Sequence, residues 1–436
     1  MKYINTQNLV EQFNIENFKM ANGKDYKLFA CVHKVKDMGQ FAFVMLRTGR
    51  YVIQSVYEPD NCTAKLDGIK EGCYVEAFGI VNEEPRANYG FELRLTDIKL
   101  LSVPAEEYPL HVSARKLGCS MDANLKYRST ALRNPVERAV FKISEGVCEG
   151  FRQFMLKNGF TEIHSPKIVA AGAEGGANIF RLKYFDRDAY LAQSPQFYKQ
   201  TCVAVFDRVF EVGSVYRAEK HNSARHLNEY IGLDFEMGYI NDMYDVMAME
   251  TAMLKYVFEY ISKNYENELK ICGAKVPVID QIPSVTFLEA IEIVGGNKNK
   301  HDLDPQDEVK LCEYFAKEKG SEFVFITHFP AAKRPFYAMD NKEDPRTAES
   351  FDLLFRGLEI TTGGQRIHNY DEQIAKMTKM GMNPEDFESY LQIHKYGMPP
   401  HGGLGIGLER IVMKLLNLSN IRQASLFPRD INHLDP

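Results

Sequence analysis

Near residue 135 the apolar residues of this chain change their spacing, and that change limits the available folds more than any other feature of the sequence. Before it come five short runs of alternating or β-branched residues, YKLFACVHKV, FAFVMLR, YVIQSVY, CYVEAFGIVN and FELRLTDIKLLSV, separated by GKD, DMGQ, DNCTAKLDG and EPRANYG. Such runs read as strands joined by turns, and five of them suggest a small β-barrel. An OB-fold is the economical choice, with an SH3-like barrel or a sandwich as alternatives. After Pro104 and Pro109 a polar connector runs through ARKLGCSMDANLKYRSTALRNP. From Pro135 onward Val136, Val140, Ile143, Val147, Phe151 and Phe154 recur every three or four residues, the period of a helix, which Gly159 ends. We therefore expect an α+β protein with a barrel over 1–105, a linker over 106–134 and a larger domain over 135–436, a division that 436 residues can support.

In the second part, FTEIHSPKIV reads as a strand terminated by Pro166. DRVFEVGSVYR and YIGLDFEMGYI read as an antiparallel pair whose loop holds the charged segment AEKHNSARHLNE. A helix is expected from Tyr244 to Tyr265, a helical stretch from Asp304 to Lys319, a strand in EFVFITHFP, a polar hairpin in FYAMDNKEDPRTAESFDLLFRGLEI and a helix from Tyr370 to Met380. The closing GGLGIGLERIVMKLLN reads as glycines running into an amphipathic helix with Leu408, Ile411, Val412 and Leu415 on its apolar face. There is no βαβ winding and no GxxxxGK[ST] loop, so any nucleotide chemistry lies outside the Rossmann and P-loop solutions. No apolar run approaches the ~20 residues of a bilayer span, and the polar start MKYINTQNLVEQFN lacks signal-peptide regions, so we expect a cytoplasmic chain with no membrane partner. The 8 cysteines are scattered without a CxxC pair and read as reduced, mostly buried thiols. A net charge of −6 means that nucleic-acid binding must use local patches.

Several residues suggest chemistry. Glycines before a helix permit close backbone approach, and a helix N-terminus favours an anion. Arg410 sits in the first turns of such a helix, and Arg217 begins the charged loop; each could grip a phosphate bidentately. Asp352 and Glu359 lie seven residues apart at opposite ends of a strand-like run. Carboxylates of this kind, together with phosphates, are the usual ligands of Mg²⁺.

The phrases GFTEIHSPKI, YRAEKHNSARHLNEYIGLDFEM and GGLGIGLER resemble motifs 1, 2 and 3 of class II aminoacyl-tRNA synthetases, in that order. AEGGANIF, YLAQSPQFYKQ, RPFYAMDNKEDPRTAESFDLLFRGLEITTGGQRIH, YGMPPHGGLGIGLERIV and NIRQASLFPRD are similar to the archaeal and eukaryotic type of aspartyl-tRNA synthetase, which some bacteria also carry. The resemblance implies an OB-fold anticodon-binding domain, an antiparallel-sheet catalytic domain flanked by helices, ATP and L-aspartate as substrates, Mg²⁺, tRNA and a homodimer. It places Arg217, Glu219 and Arg410 in catalysis, with Arg217 bridging the α-phosphate and the amino-acid carboxylate. Glu219 is expected at adenine, Arg225 and His226 at the distal phosphates, and Leu227, Glu359, Gly407, Leu408 and Glu409 elsewhere around ATP. Lys199 and Arg366 are the expected side-chain readers, Asp234 answers the α-ammonium, and Glu174, Gln196 and Thr362 complete the aspartate pocket. Asp352, Glu359 and Thr362 form the implied metal set. One departure stands at Thr362-Gly363-Gly364, where many relatives have serine, glycine and alanine; threonine keeps the hydroxyl but adds a methyl group.

Asparaginyl-tRNA synthetases share the barrel and motifs, but RPFY and GGQRIH favour aspartate. An asparagine synthetase-like paralogue would tend to lack the barrel, and a non-catalytic nucleic-acid module would have no reason to keep Arg217, Glu219, Glu359 and Arg410 together. On the first barrel strand, His33 falls where relatives restricted to tRNA(Asp) tend to have tryptophan and relatives that also aspartylate tRNA(Asn) tend to have histidine. The expectation is a non-discriminating enzyme, with His33 on a strand face that meets exposed anticodon bases and a separate amidotransferase converting Asp-tRNA(Asn).

Overall fold

The computed structural model describes residues 12–170, 178–220, 223–297 and 300–435. By internal contacts the chain divides into two compact units, Met1–Arg138 and Ala139–Pro436.

In the first unit a short helix α1 (Ile15–Met20) precedes β1 (Asp25–Asp37), β2 (Ala42–Thr48), β3 (Tyr51–Tyr57), β4 (Tyr74–Glu83) and β5 (Phe91–Ser102). These strands close into a barrel in the order β1-β2-β3-β5-β4, with β3 and β5 parallel and the other pairs antiparallel. Their alternation places Leu28, Val32, Val44, Leu46, Ile53, Val75, Val81 and Leu93 in one core. The expected polar linker is partly ordered: it carries α2 (Met121–Lys126) and α3 (Arg128–Ala131). Asn134 explains some of this order, since its amide donates to the Val112 and Ala114 carbonyls at 3.0 and 2.8 Å while its oxygen accepts from Val136 N at 2.9 Å.

Helix α4 (Pro135–Lys157) begins in the first unit and carries the chain into the second, where its apolar stripe buries Val140, Ile143, Val147, Phe151 and Phe154. It continues through β6 (Thr161–Glu162), β7 (Ile168–Val169), β8 (Arg181–Tyr184), β9 (Arg187–Leu191), α5 (Gln196–Phe206), β10 (Arg208–Tyr216), β11 (Glu229–Gly238), α6 (Met243–Asn264) and α7 (Glu266–Cys272). Then come β12 (Ser284–Thr286), α8 (Phe287–Ile293), α9 (Pro305–Lys319), β13 (Phe323–Thr327), β14 (Ser350–Phe355) and β15 (Leu358–Arg366). The unit ends with α10 (Tyr370–Lys379), α11 (Glu388–Tyr396), β16 (His401–Gly407) and α12 (Leu408–Leu415). Among the described residues an eight-stranded sheet runs in the order β12-β13-β14-β15-β16-β11-β10-β6, antiparallel except at its two ends, where β12 pairs parallel with β13 and β6 with β10.

Three local expectations are corrected. FTEIHSPKIV is not one strand but β6 and β7, in two different sheets. Pro166 has no N–H for a ladder, and the backbone and hydroxyl of Ser165 turn to the Glu211 carboxylate at 3.1 and 2.6 Å. The glycines of HGGLGIG, expected only to lead into a helix, are strand β16, between β11 and β15. The regular part of the expected hairpin is β14–β15 alone, turned at Arg356 and Gly357 with φ of 47° and 78°, the left-handed pair a tight two-residue connection requires. All 8 cysteines are free, four of them buried. Among the described residues no helix is long and apolar enough to cross a membrane.

Candidate active site

Strands β15, β16, β11 and β10 underlie a cavity of about 330 Å³, whose lining also takes residues from α5, α12, the charged loop after β10 and the segment 333–338. Along β11, Gly232, Asp234 and Glu236 share one face, two residues apart. Lys199, from the first turn of α5 and 2% exposed, donates to Asp234 Oδ1 at 3.0 Å and to the Leu404 carbonyl at 2.8 Å, with Glu236 Oε2 3.3 Å away. Arg366, at the end of β15, donates from Nε to Glu236 Oε1 at 2.9 Å and from Nη2 to the Gly403 carbonyl at 2.8 Å. Burial raises the Asp234 carboxyl against the pull of Lys199. At Glu236 burial acts the same way, but Arg366 and Lys199 outweigh it and hold the carboxyl below the usual range.

The glycines of β16 make room for these carboxylates. A Cβ on Gly403 would stand 2.2 Å from Glu236 Oε2, and one on Gly405 3.0 Å from Asp234 Oδ1, so the strand can lie against charged side chains only without side chains of its own there. Neither of the expected side-chain readers, Lys199 and Arg366, stands as an unpaired cation. Both are already paired, Arg366 by Glu236 and Lys199 mainly by Asp234.

Arg217 directly follows β10. Its backbone N donates to Asn228 O at 2.8 Å, while the Asn228 amide donates to the carbonyls of Arg217 and Glu219 at 2.7 and 2.9 Å. One asparagine thus draws the two limbs of the charged loop together. The returning limb is tied to the C-terminal segment, with Arg422 Nη1 to Ser223 O at 3.1 Å, Ile421 N to Ala224 O at 2.9 Å and Asn228 N to Arg429 O at 2.8 Å. Within it, Ser223 Oγ and His226 Nδ1 are 2.6 Å apart, and Leu227 is buried against the core. Arg217, Glu219, Arg225, His226 and Leu227 all line the cavity, as do Gln196, Lys199, Asp234, Thr362 and Arg366.

The two other arginines are engaged by carboxylates. Arg410 Nη1 donates to Glu359 O at 2.8 Å and Oε1 at 3.1 Å, and Arg225 Nη2 donates to Glu308. Gly407, Glu409 and Arg410 line the cavity, but Leu408 packs into the core. The Glu409 carboxylate accepts from Ile231 N at 3.1 and 3.2 Å, and burial pushes it up to about 7. Glu174 lies outside the described residues.

Asp352 pairs across the ladder with Thr362, whose hydroxyl is 3.4 Å from Glu359 Oε1. Arg334 Nη2 holds Asp352 Oδ2 at 2.9 Å, while the buried Oδ1 has no hydrogen-bond partner. Burial, aided by the nearby Glu359 charge and opposed by Arg334, raises the Asp352 carboxyl to about 6. A spare buried carboxylate oxygen near a second carboxylate suits a hard divalent cation that takes its remaining ligands from phosphate or water. Among the described residues no cluster of three or more His, Cys, Asp or Glu could hold a metal unaided.

A family profile described as "tRNA synthetases class II (D, K and N)" matches residues 120–431. The chain belongs to this family. A second profile, "OB-fold nucleic acid binding domain", matches residues 26–101 of this class II chain, on the closed barrel. Among curated relatives, the aspartate–tRNA(Asp/Asn) ligase of Deinococcus radiodurans is 42% identical, covering 95% of this synthetase and 96% of the relative. The aspartate–tRNA(Asp) ligase of Pyrococcus abyssi is 39% identical over 97% and 99%. The solved asparaginyl-tRNA synthetase of Pyrococcus horikoshii with asparaginyl-adenylate superposes with a TM-score of 0.90 at 29% identity, covering 98% of this chain and all of that one.

In the first unit of this synthetase, the expectation of a histidine open to bases is corrected. His33 is 7% exposed and sits at a bulge where the β1–β2 register shifts between Val32 and Lys34. Burial, with Arg47, Arg138 and Lys34 nearby, lowers it to about 4, so the imidazole is neutral at pH 7.

Sequence reasoning missed Glu236, Asn228, Arg334 and Glu308. Glu236 had a signal, the two-residue step from Asp234 on a strand. Arg334 and Asn228 lay inside phrases quoted for the resemblance. Glu308 had none, since an acid in a first helical turn looks like an ordinary complement to the helix dipole.

Proposed function

We propose that this chain activates L-aspartate with ATP and esterifies it to tRNA(Asp) and also to tRNA(Asn). The observation that carries the reading is the buried Lys199–Asp234–Glu236–Arg366 array in a cavity also lined by Arg217 and Arg410. Aspartate can enter this array by exchanging partners. Its α-ammonium takes over Asp234, which releases Lys199 to the β-carboxylate, so every charge remains paired. Asparagine would draw Asp234 away and set a neutral amide before the Lys199 ammonium, which would keep only Glu236, already shared with Arg366, as a charged partner, at a cost of a few kcal/mol.

In the first step an oxygen of the α-carboxylate attacks the α-phosphorus of ATP; a new P–O bond forms as the bond to the bridging oxygen breaks, and pyrophosphate leaves. Arg217 faces the α-phosphate and the carboxylate, so its fork offsets the charge that gathers there without reorganising. Glu219 meets adenine, and Arg225 and His226 meet the distal phosphates. Asp352, Glu359 and Thr362 would hold Mg²⁺, which when bound would supply counter-charge to the phosphates. In the second step a hydroxyl of the terminal ribose attacks the carbonyl carbon of the mixed anhydride. The ester forms, AMP departs with the bonding pair, and the hydroxyl proton passes to its phosphate. No protein nucleophile takes part, and catalysis rests on positioning and charge stabilisation.

Dual charging is supported by relatives named for both tRNAs. The buried His33 imidazole would act by its size: an indole in its place would displace the bulged strand and narrow the face offered to either pyrimidine that distinguishes the two anticodons. The test is the ratio of kcat/KM for tRNA(Asp) and tRNA(Asn) transcripts. We expect less than about a hundredfold preference, roughly 2.7 kcal/mol, in the wild type, and a larger preference for tRNA(Asp) in His33→Trp. A wild-type preference beyond that bound sinks dual charging.

A further inference from the structure

Glu308 connects two residues of the cavity lining without lining the cavity itself. It lies in the first turn of α9, where Pro305 and reciprocal bonds between Asp304 and Asp307, each 3.1 Å, fix the start of the helix. The backbone carrying Glu308 is thus held independently of any ligand. The side chain is 9% exposed. Its Oε2 accepts both from Arg225 Nη2 and from the backbone N of Glu359, the latter at 2.9 Å. Glu359 sits beside a bulge in the β14–β15 ladder, and its carbonyl and Oε1 are held by Arg410.

A buried carboxylate needs partners, and an ion pair with Arg225 alone would satisfy that need. Two features point further. Both partners of Glu308 line the cavity, so the carboxylate joins the charged loop after β10 to the strand that carries Glu359. Arg225 also keeps donor capacity, since its buried Nε has no hydrogen-bond partner. A guanidinium fixed at one nitrogen has its plane set, which prepares the remaining edge for bidentate contact with phosphate.

We propose that Glu308 is a positioning residue for ATP, which by holding Arg225 and the Glu359 N–H on one oxygen aims the Arg225 fork at the distal phosphates. This rests on the aspartate-activating reading, in which Arg225 meets those phosphates. The distal phosphates lie away from the reacting phosphorus, so Arg225 stabilises ground and transition states alike; losing its orientation raises KM for ATP more than it lowers kcat.

The experiment uses the full chain as wild type, Glu308→Gln, Arg225→Ala and the double variant. It measures Kd for α,β-methylene ATP by calorimetry, and KM and kcat by pyrophosphate exchange. Glutamine keeps an acceptor for Glu359 N but loses the charge that fixes Arg225. Glu308→Gln is expected to raise Kd and KM for ATP about fivefold or more, with KM for aspartate nearly unchanged, and to add less than about twofold when Arg225 is already alanine. Equal effects in both backgrounds would overturn the proposal and leave Glu308 as a fold-stabilising ion pair. If Glu308→Gln melts well below the wild type, Glu308→Asp, which keeps the charge on a shorter arm, replaces it in the same cycle under the same criterion. A wild type that binds the analogue but shows no exchange with aspartate would sink the aspartate reading and leave the Kd cycle to decide Glu308.

Discussion

At the scale of single residues, Arg217 and Arg410 distinguish a phosphate clamp from a merely basic lining. Lysine in either place keeps the charge but loses the planar fork, so Arg217→Lys and Arg410→Lys should each lower aspartate-dependent pyrophosphate exchange at least about a hundredfold while circular dichroism and melting stay close to wild type. Exchange within a few-fold of wild type would remove the clamp. A second residue prediction concerns Glu250 of α6, fully buried, bonded by the Thr361 hydroxyl at 2.6 Å and raised by burial to about 8. An acid whose folded value lies above its unfolded one contributes stability that is complete below the unfolded value, near 4.5, and lost as pH rises through 8. Glu250→Gln keeps an acceptor for Thr361 and cannot ionise, so its stability relative to wild type should grow by a few kcal/mol between pH 5 and 9 in urea titrations; parallel curves would show that Glu250 does not titrate in that window. Residue types and order made most of the lining legible, because Arg217, Lys199, Asp234 and Arg366 belong to contiguous phrases. Which charges satisfy one another was not legible: Glu236 with Arg366 and Glu308 with Arg225 are contacts across 130 and 83 residues, and no local spacing encodes them.

At the scale of elements, strands whose alternation matches a one-sided core were readable from sequence, and so were helices with a full apolar stripe; β1 to β5 and α4 are of this kind. Elements whose form depends on neighbours were not. The six-residue run GGLGIG has almost no side chains to give it a period and becomes a strand because β11 and β15 pair on both sides and because Glu236 and Asp234 need the space. FTEIHSPKIV divides because Glu211, over 40 residues away, captures Ser165 and Lys167. The α4–β6 segment carries a prediction of its own. It resembles motif 1, which in class II synthetases forms a two-fold interface, and we expect a homodimer. Sedimentation at micromolar concentration checks this, and a stable, active monomer would contradict it.

At the scale of the whole molecule, the barrel matches a nucleic-acid-binding profile, and the larger unit contains the cavity proposed for ATP and aspartate. The division into a barrel and an α+β unit was legible because the hydrophobic period changes between them. The ordered connector was not, since its helices are short and are held by side-chain contacts such as those of Asn134. The central claim is that Lys199, Asp234, Glu236 and Arg366 form a site that accepts aspartate by exchanging ion pairs and rejects asparagine for want of a charge. The most direct test is pyrophosphate exchange with ATP and each of the two amino acids in turn. The account predicts exchange with aspartate at a kcat/KM at least about a hundredfold above that with asparagine, the equivalent of nearly 3 kcal/mol; equal exchange with the two, or a preference for asparagine, would contradict it.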